Sequence, residues 1–332
     1  MHNPHDPRVL PLRDGVAPSC VVLPSRGGGL LVDFLTERLP LVARADWLRR
    51  MARAEVVSEH GTPASAQTPF TPGLRYYYYR EVRGEAPIPF EAQVLYQDAH
   101  LLVADKPHFL PVMPGGCQLH ETLLVRLKKT LDLPELSPVH RIDRDTAGLV
   151  LFSVQRATRG AYQALFRERA VTKVYEAIAP WRADLPLPRR LLGRLEESGD
   201  FFRMHEVAGT PNADAGLALI ERLGAWARYR LTPVTGKRHQ LRVQMAAIGL
   251  PLWGDALYPQ VDDRLPGDYR RPLQLLAKEL RFDDPLAGQA RHFASRRVLR
   301  PLKRLEGAGD GAQECLVSAQ RPCIPPGAYS KP

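Results

Sequence analysis

Cysteines and long apolar runs are both scarce in this sequence. Its four cysteines, Cys20, Cys117, Cys315 and Cys323, have no close pairing that would indicate a zinc site, and a chain of 332 residues needs no disulfide to fold. No apolar run approaches the roughly 18 residues that a membrane helix needs. The first 15 residues also lack the apolar core of a signal peptide. We therefore expect a cytoplasmic protein whose cysteines are ordinary thiols.

A glycine loop for binding nucleotide phosphates is also missing. The run Gly27-Gly28-Gly29 lies in a segment with little apolar periodicity and is typical of a flexible join. The segment around Gly236-Lys237 is not a P-loop, because Leu231 stands where that motif needs its first glycine and Arg238 where it needs serine or threonine. These absences exclude a P-loop nucleotide hydrolase.

The composition is that of a globular, basic protein. Hydrophobic residues make up 44% of the chain, which is ample for a core, and Lys and Arg outnumber Asp and Glu by 46 to 36. The resulting net charge of +10 suits a partner with a phosphate backbone, but it also suits an acidic membrane surface. Charge alone does not decide between them.

The most informative stretch lies between Ser137 and Gly148, where polar and charged residues are concentrated. Turn signals stand at both ends, and the buried-type strand segment Leu149-Val150-Leu151-Phe152 follows at once. Charged residues on a loop braced by a sheet are typical of an active site. The alternative is a solvated turn whose aspartates bond the local backbone.

Two familiar active-site motifs do not fit this stretch. A kinase catalytic loop needs Asp directly after His-Arg and Asn five residues further on, but Ile142 and Ala147 stand there. A glycosidase needs a second carboxylate across a sugar, and Asp145 is only two residues from Asp143, so the sequence cannot place it there.

The segment His140-Arg141-Ile142-Asp143-Arg144-Asp145-Thr146-Ala147-Gly148 resembles the signature of the RluA family of RNA pseudouridine synthases, usually His-Arg-Leu-Asp with Thr-Ser-Gly a few residues on. The resemblance covers about residues 91–300. Four further segments match family motifs in the same order: Leu102-Val103-Ala104-Asp105-Lys106-Pro107, Lys173-Val174-Tyr175, Thr235-Gly236-Lys237-Arg238-His239-Gln240-Leu241-Arg242, and Gly249-Leu250-Pro251-Leu252-Trp253-Gly254-Asp255-Ala256-Leu257-Tyr258.

The resemblance implies an isomerase that acts on RNA without a cofactor or metal. Asp143 would be the catalytic carboxylate, and Arg242 would pair with it and keep it ionised. Arg141 would fill the gap left in the RNA by the flipped base, and Tyr175 would lie against the flipped uracil. By the same resemblance we predict substrate contacts for six further residues: His140, Lys106, Lys173, Lys237, Arg238 and Leu241.

Two expectations come from local physics. Basic residues around the start of the helix that opens at 237–242 are unfavourable for its macrodipole, so an outside anion or a carboxylate should offset them. In the strand predicted over 171–179, alternation puts Lys173 and Tyr175 on one face. We expect that lysine to lower the pKa of the Tyr175 phenol, which would favour a proton-transfer role.

The predicted fold class is α+β, with a mixed, mainly antiparallel sheet in the catalytic domain. The N-terminal module combines two helices, the second of them basic, with a small sheet. It resembles the alpha-L type, S-four-like RNA-binding domain. The predicted divisions are a flexible arm (1–29), the RNA-binding module (30–85), the catalytic domain (91–304) and a disordered tail (305–332).

A rival function stays open at this point. A non-catalytic RNA-binding or ribosome-assembly protein of the same fold would also be basic and carry an N-terminal RNA-binding module. The joint presence of Asp143, Tyr175 and Arg242 favours an enzyme that modifies ribosomal or transfer RNA. We also expect the protein to be a monomer.

Overall fold

The computed structural model describes residues 10–82, 84–199, 202–262, 264–265 and 267–306, which form two compact units. The first unit contains the described residues up to Glu85 together with Pro114–Pro134. The second contains Ala86–Met113 and the described residues from Glu135 onward. Residues 114–134, which the sequence places within a domain spanning 91–304, are thus grouped with the first unit.

Fourteen strands and six helices occur in the part of the chain that the structure describes. The helices are α1 (Leu31–Arg38), α2 (Arg44–Ala52), α3 (Leu123–Leu131), α4 (Arg159–Arg167), α5 (Gln240–Ala247) and α6 (Lys303–Glu306). The strands are β1 (Ser19–Val22), β2 (Val56–Ser58), β3 (Arg75–Tyr78), β4 (Gln93–Gln97), β5 (Leu101–Lys106), β6 (Ser137–Pro138), β7 (Ala147–Ser153), β8 (Thr172–Pro180), β9 (Arg189–Glu197), β10 (Met204–Val207), β11 (Ala213–Leu223), β12 (Trp226–Pro233), β13 (Leu275–Asp283) and β14 (Ala290–Ala294).

In the first unit, two short helices pack on a three-stranded antiparallel sheet of order β1-β3-β2. The apolar residues that recur at helical spacing are buried, among them Leu31 and Leu35 on α1 and Trp47 on α2. The Trp47 ring meets Tyr78 of β3 edge-on, with ring centroids 5.1 Å apart. Two helices followed by short strands are therefore present as predicted, while the RNA-binding role of this unit stays a prediction.

The prediction of a flexible arm over residues 1–29 is wrong for its central part. Residues 19–22 form β1, which pairs antiparallel with β3, and Val16 and Leu23 on either side are buried. A strand of four residues has too few alternations to stand out in the sequence, and its partner lies more than 50 residues away. Residues 1–9 lie outside the described part of the chain.

The second unit is built on one eleven-stranded sheet. Its main path is β10-β9-β11-β12-β8-β13-β7-β5-β4, with β14 added to β13 and β6 to β7. Every pairing is antiparallel except the one between β13 and β7, which confirms the predicted mixed, mainly antiparallel sheet. Helix α5 lies against this sheet, and its Leu241 and Met245 are buried among residues of β8 and β12, including Ala177 and Leu231.

Gly148 makes the single parallel pairing possible. It follows the signature loop directly, has a φ of +112°, and pairs with Ala277 of β13. A Cβ at this position would lie 2.2 Å from the carbonyl oxygen and 2.7 Å from the nitrogen of Ala277. Only glycine allows the two backbones to approach this closely.

Most predicted elements of the second unit are present, with two differences. The strand β14 covers the start of the basic segment 291–304. From the sequence alone, a solvated surface explains the basic residues of that segment equally well. Helix α6 continues to residue 306, with Leu305 buried, so the predicted catalytic domain ends too early; residues 307–332 lie outside the described part. No helix among the described residues is long and apolar enough to cross a membrane.

Candidate active site

Asp143 lies on the loop between β6 and β7 and is the central carboxylate of the site. Its side chain is 24% exposed, so it is reachable from solvent. Arg242, on the first turn of α5, donates from Nη1 to Asp143 Oδ2 at 3.4 Å. The predicted pairing of these two residues, 99 positions apart in the chain, is therefore present in the fold.

Arg242 is held in place by a second carboxylate, Asp255. The Arg242 side chain is 2% exposed, and it donates to both Asp255 oxygens, from Nε at 2.8 Å and from Nη2 at 2.6 Å. Asp255 is itself fully buried and accepts the amide hydrogens of Leu257 and Tyr258. Although burial acts in the opposite direction, the bonds and charge of Asp255, together with Asp143, raise the pKa of Arg242, so the guanidinium stays charged.

Asp143 and Asp255 supply negative charge near the basic start of α5. The sequence predicts that an anion or a carboxylate offsets the positive charge at this point, and these two side chains do so. The role of Asp255 was missed, although it lies inside a matched motif. Its only signal is an acidic residue in an otherwise apolar segment, Gly249 to Tyr258.

His239 is a second residue that sequence reasoning missed. It precedes α5 with a φ of +54°, and its Nε2 lies 4.0 Å from Asp143 Oδ1. Its Nδ1 lies 2.9 Å from the Tyr258 hydroxyl, which accepts the amide hydrogen of Met204 at 2.8 Å. This arrangement favours a Tyr258 hydroxyl that donates to Nδ1, which leaves the hydrogen of a neutral His239 on Nε2, facing Asp143.

Tyr175 lies on β8, half-buried against the core that contains Leu241. Burial and the nearby charge of Asp143 raise the pKa of its phenol. Lys173 donates instead to the Thr235 carbonyl at 3.2 Å, and burial lowers the pKa of this lysine. The expectation that Lys173 lowers the pKa of Tyr175 is therefore wrong. The two residues share a face of the strand, but the ammonium group is directed to a backbone oxygen.

Lys106 braces the site from a fully buried position, and the substrate contact predicted for it stays a prediction. It is 0% exposed, and its Nζ donates to the carbonyls of Pro107 (2.9 Å), Leu110 (2.7 Å) and Arg144 (2.9 Å). Burial lowers its pKa to about 7, against the opposing charges of Asp145 and Asp143. Its three hydrogens thus connect the turn after β5 to the signature loop.

His140 also braces the signature loop. Its Nε2 accepts the amide hydrogen of Leu151 in β7 at 3.1 Å, and its ring stacks on Phe166 of α4 with centroids 4.4 Å apart. Burial lowers the pKa of His140 to about 3, so the imidazole is neutral, as an acceptor must be. These contacts give the ring a role in the fold, and the substrate contact predicted for His140 stays a prediction.

The remaining predicted residues differ in how far their side chains are accessible to a ligand. Arg141 and Lys237 are exposed, and in the described part of the chain nothing bonds their charged groups. Arg238 donates to the Arg203 carbonyl at 3.1 Å, and Leu241 is 6% exposed. Arg141 and Lys237 can therefore meet a ligand directly, while Leu241 supports Tyr175 from within the core.

The assembled site suits a reaction in which a carboxylate acts where water is partly excluded. Asp143 combines access to solvent with an ion pair to a fixed, buried cation, an arrangement that suits a carboxylate nucleophile. An aromatic ring and two exposed cations accompany it. The described residues contain no group of His, Cys, Asp and Glu side chains arranged to hold a metal ion.

Comparison with known proteins identifies the family. A family profile for RNA pseudouridylate synthase matches residues 100–247. The dual-specificity RNA pseudouridine synthase RluA of Haemophilus influenzae is 32% identical over 218 residues, covering 60% of this chain and 90% of that protein. The protein of the same name from Escherichia coli K12 is 31% identical over 209 residues, with coverages of 60% and 90%.

Solved structures agree on the fold. Human RNA pseudouridylate synthase domain containing 4 has a TM-score of 0.50 and 25% identity, over 63% of this chain and 89% of that one. Human RNA pseudouridylate synthase domain containing 1, at 21% identity, has a TM-score of 0.51 over 65% and 93%. The chain therefore belongs to the RluA family of RNA pseudouridine synthases, which are isomerases.

Proposed function

We propose that the protein converts specific uridines of structured ribosomal or transfer RNA to pseudouridine, with Asp143 as the catalytic carboxylate. One observation carries this assignment. Asp143 is the partly exposed carboxylate whose oxygen lies 3.4 Å from a buried arginine, and that arginine is fixed on its other side by Asp255. A fixed cation orients the carboxylate and balances its charge in a site that the base will cover.

The reaction is an isomerisation in which atoms balance. The bond between C1′ of the ribose and N1 of uracil breaks, the base turns, and a new bond forms between C1′ and C5. The hydrogen on C5 leaves and N1 takes up a proton. Asp143 can attack or stabilise the sugar at C1′, or add to the base, and both routes are compatible with its position.

The base must leave its stack before Asp143 can reach it. We assign Arg141, exposed on the same loop, to the gap that the base leaves. Tyr175 lies against the flipped uracil, and such stacking is worth about 1–3 kcal/mol. Exposed Lys237 meets the phosphate backbone. A raised pKa keeps the Tyr175 phenol protonated in the free enzyme, which favours a platform role over that of a base.

The breadth of the substrate is proposed from two relatives. Both carry the name dual-specificity RNA pseudouridine synthase, which fits action on more than one RNA. A monomeric state and a cytoplasmic location belong to the same proposal. Mapping the pseudouridines lost from a deletion strain would identify the target uridines.

Asp143→Asn tests the assignment, with Asp145→Asn as the matched control. The amide keeps the shape of Asp143 but loses its charge and nucleophilicity, so tritium release from RNA labelled at C5 of uracil should stop while RNA binding persists. Asp145 is held by Arg144 within the turn, so its replacement should cost much less.

Comparable losses from both variants would mean that the site is misassigned. A wild-type protein that binds RNA but releases no tritium from total RNA lacking the modification would favour the non-catalytic binding protein.

A further inference from the structure

Three aromatic rings from separate segments of the second unit form a cluster: Phe90, Phe109 and Tyr269. The Phe90 and Phe109 rings are stacked with centroids 5.8 Å apart and an interplanar angle of 28°. Tyr269 meets Phe90 at 5.1 Å and Phe109 at 5.0 Å. All three side chains are half-buried, so the cluster keeps aromatic surface in contact with solvent.

Phe109 stands at a backbone position that favours glycine. Its φ is +68°, in the left-handed region where a bulky side chain costs about 1–3 kcal/mol. The turn has this shape because Lys106 draws in the carbonyls of Pro107 and Leu110 on both sides of it. A strained backbone at an aromatic residue beside the site motivates a hypothesis of function.

The cluster lies beside the catalytic loop. Lys106 donates to the carbonyl of Arg144, and His108 Nδ1 lies 2.7 Å from the carbonyl oxygen of Asp145. The neighbours of Phe109 therefore contact the chain one and two residues beyond Asp143. On the other side, Arg264 donates to the carbonyls of Gly254 and Arg271, which anchors the loop carrying Tyr269 next to Asp255.

The charges near the cluster suit a polyanion. Arg144 and Arg270 have side chains that are 57% and 87% exposed, and each contacts an aspartate one or two residues away. Guanidinium groups with this much exposed surface can also contact the phosphates of an RNA strand. Arg141 is a third exposed cation on the same loop as Arg144.

We propose that the Phe90, Phe109 and Tyr269 cluster is a stacking platform for an unpaired nucleotide of the substrate RNA next to the target uridine. The proposal rests on the proposed function, and it adds a second base-binding site to the one at Tyr175. Base stacking on aromatic rings flanked by guanidinium groups is a common mode of single-strand recognition. An apolar protein segment would also contact such rings, and the test separates the two.

Substitutions at Phe109 test the platform because glycine removes the ring and relieves the backbone. Phe109→Gly should keep or raise the thermal midpoint, since glycine adopts φ +68° without strain. It should nevertheless weaken binding of unmodified ribosomal and transfer RNA transcripts by roughly 5- to 150-fold, the equivalent of about 1–3 kcal/mol of stacking. Phe109→Tyr, which keeps a ring, should bind like the wild type, and Phe109→Leu should bind like Phe109→Gly.

A direct readout uses a short single-stranded RNA containing 2-aminopurine, whose fluorescence falls on stacking. Quenching should occur with the wild type and Phe109→Tyr and be absent with Phe109→Gly. Equal RNA binding by wild type and Phe109→Gly would overturn the proposal. So would full binding by Phe109→Leu, which would indicate plain apolar contact, or a large drop in thermal midpoint for Phe109→Gly, which would indicate a packing role.

Different results would overturn the proposed function and the proposed stacking platform. A wild-type protein that releases no tritium would overturn the proposed function, while the binding and quenching measurements would still decide the platform. A tritium-releasing wild type whose Phe109→Gly variant binds RNA equally well would overturn the platform alone.

Discussion

At the scale of single residues, the site depends on a buried cation shared by two carboxylates with different surroundings. The Asp255 side chain has no exposed surface and bonds Arg242 twice, whereas the Asp143 side chain is partly exposed and bonds it once at a longer distance. The first carboxylate therefore fixes the arginine, and the second is left available for chemistry. Asp255 thus has a structural role, and Asp143 is left for the catalytic role proposed above.

Asp255→Asn should remove both stability and activity. Without its buried carboxylate, the guanidinium of Arg242 is left largely uncompensated, which typically costs about 3–5 kcal/mol. Urea denaturation should therefore show a lowered free energy of unfolding, and tritium release should be lost because Arg242 no longer holds its position. Asp143→Asn should affect tritium release alone.

The matched control for this prediction is Asp262→Asn. Asp262 pairs with Arg264 in the same loop but is 42% exposed, so its loss should cost no more than about 1 kcal/mol. Equal destabilisation by the two variants, or an Asp255→Asn protein as stable as the wild type, would contradict the assigned role of Asp255.

The sequence indicated the residues proposed to act and missed those that support them. Asp143, Tyr175 and Arg242 stand at motif positions that the family resemblance identifies. The support given by Asp255 and His239 depends on side-chain contacts that exist only in the fold. The complete burial of Lys106 was also not predicted, because a motif gives residue type and position but not burial.

At the scale of elements, the start of β7 is the most constrained point near the site. Gly148 closes the signature loop and meets Ala277 of β13 too closely for any side chain. The alternation of apolar residues predicted most strands of this sheet, because their faces are buried on one side. It could not predict the close parallel approach at β13, since strand partners far apart in the sequence leave no local pattern.

Gly148→Ala should destabilise the protein and abolish turnover. The new methyl group would meet backbone atoms that cannot move independently of β13, and the left-handed backbone would be strained; together these cost about 2–5 kcal/mol. Thermal denaturation and tritium release would measure the two effects.

Gly160→Ala provides the contrast for this prediction. Gly160 lies in the first turn of α4, and a Cβ there would meet no atom within 4 Å, so alanine should raise stability by up to about 1 kcal/mol. A Gly148→Ala protein with the stability and activity of the wild type would show that β7 and β13 can separate without cost.

At the scale of the whole molecule, a net charge of +10 favours RNA, but the arginines of α2 are only partly available to it. Arg50 is buried and donates to the Tyr79 carbonyl at 3.1 Å, and Arg44 and Arg49 pair with aspartates of the same unit. Arg53 is exposed, and nothing in the described residues bonds its guanidinium. Fewer arginines of α2 are therefore available to contact RNA than the sequence predicts.

Arg53→Gln should reduce the salt dependence of RNA binding if the first unit contacts phosphates. Each lost phosphate contact should lower the slope of log affinity against log salt concentration by about 0.7–0.9. A binding titration over several salt concentrations measures that slope. Arg167→Gln, which removes one exposed charge from α4, should leave it unchanged.

A point substitution is a cleaner test here than removal of residues 1–85. The carboxylate of Glu85 accepts the amide hydrogens of Leu119, His120 and Glu121, just before α3, and Val125 of α3 packs with Val16. Removing residues 1–85 would leave α3 without these partners, so a weaker RNA affinity could not be separated from damage to the fold. An unchanged slope in Arg53→Gln would argue against phosphate contact at that residue.

The single parallel pairing divides the large sheet at a seam. β13 and β7 share two residue pairs, because the remainder of that edge of β13 is taken by β14. Asp143 is attached to the β7 side of the seam, while Tyr175 on β8 and Arg242 on α5 belong to the other side. The ion pair between Asp143 and Arg242 therefore joins side chains from the two sides of the seam. A small hinge motion there would change the distance between the Asp143 carboxylate and the Arg242 guanidinium without disturbing either half, so the amide of Ala277 should exchange its hydrogen faster than those in the long β11–β12 pairing.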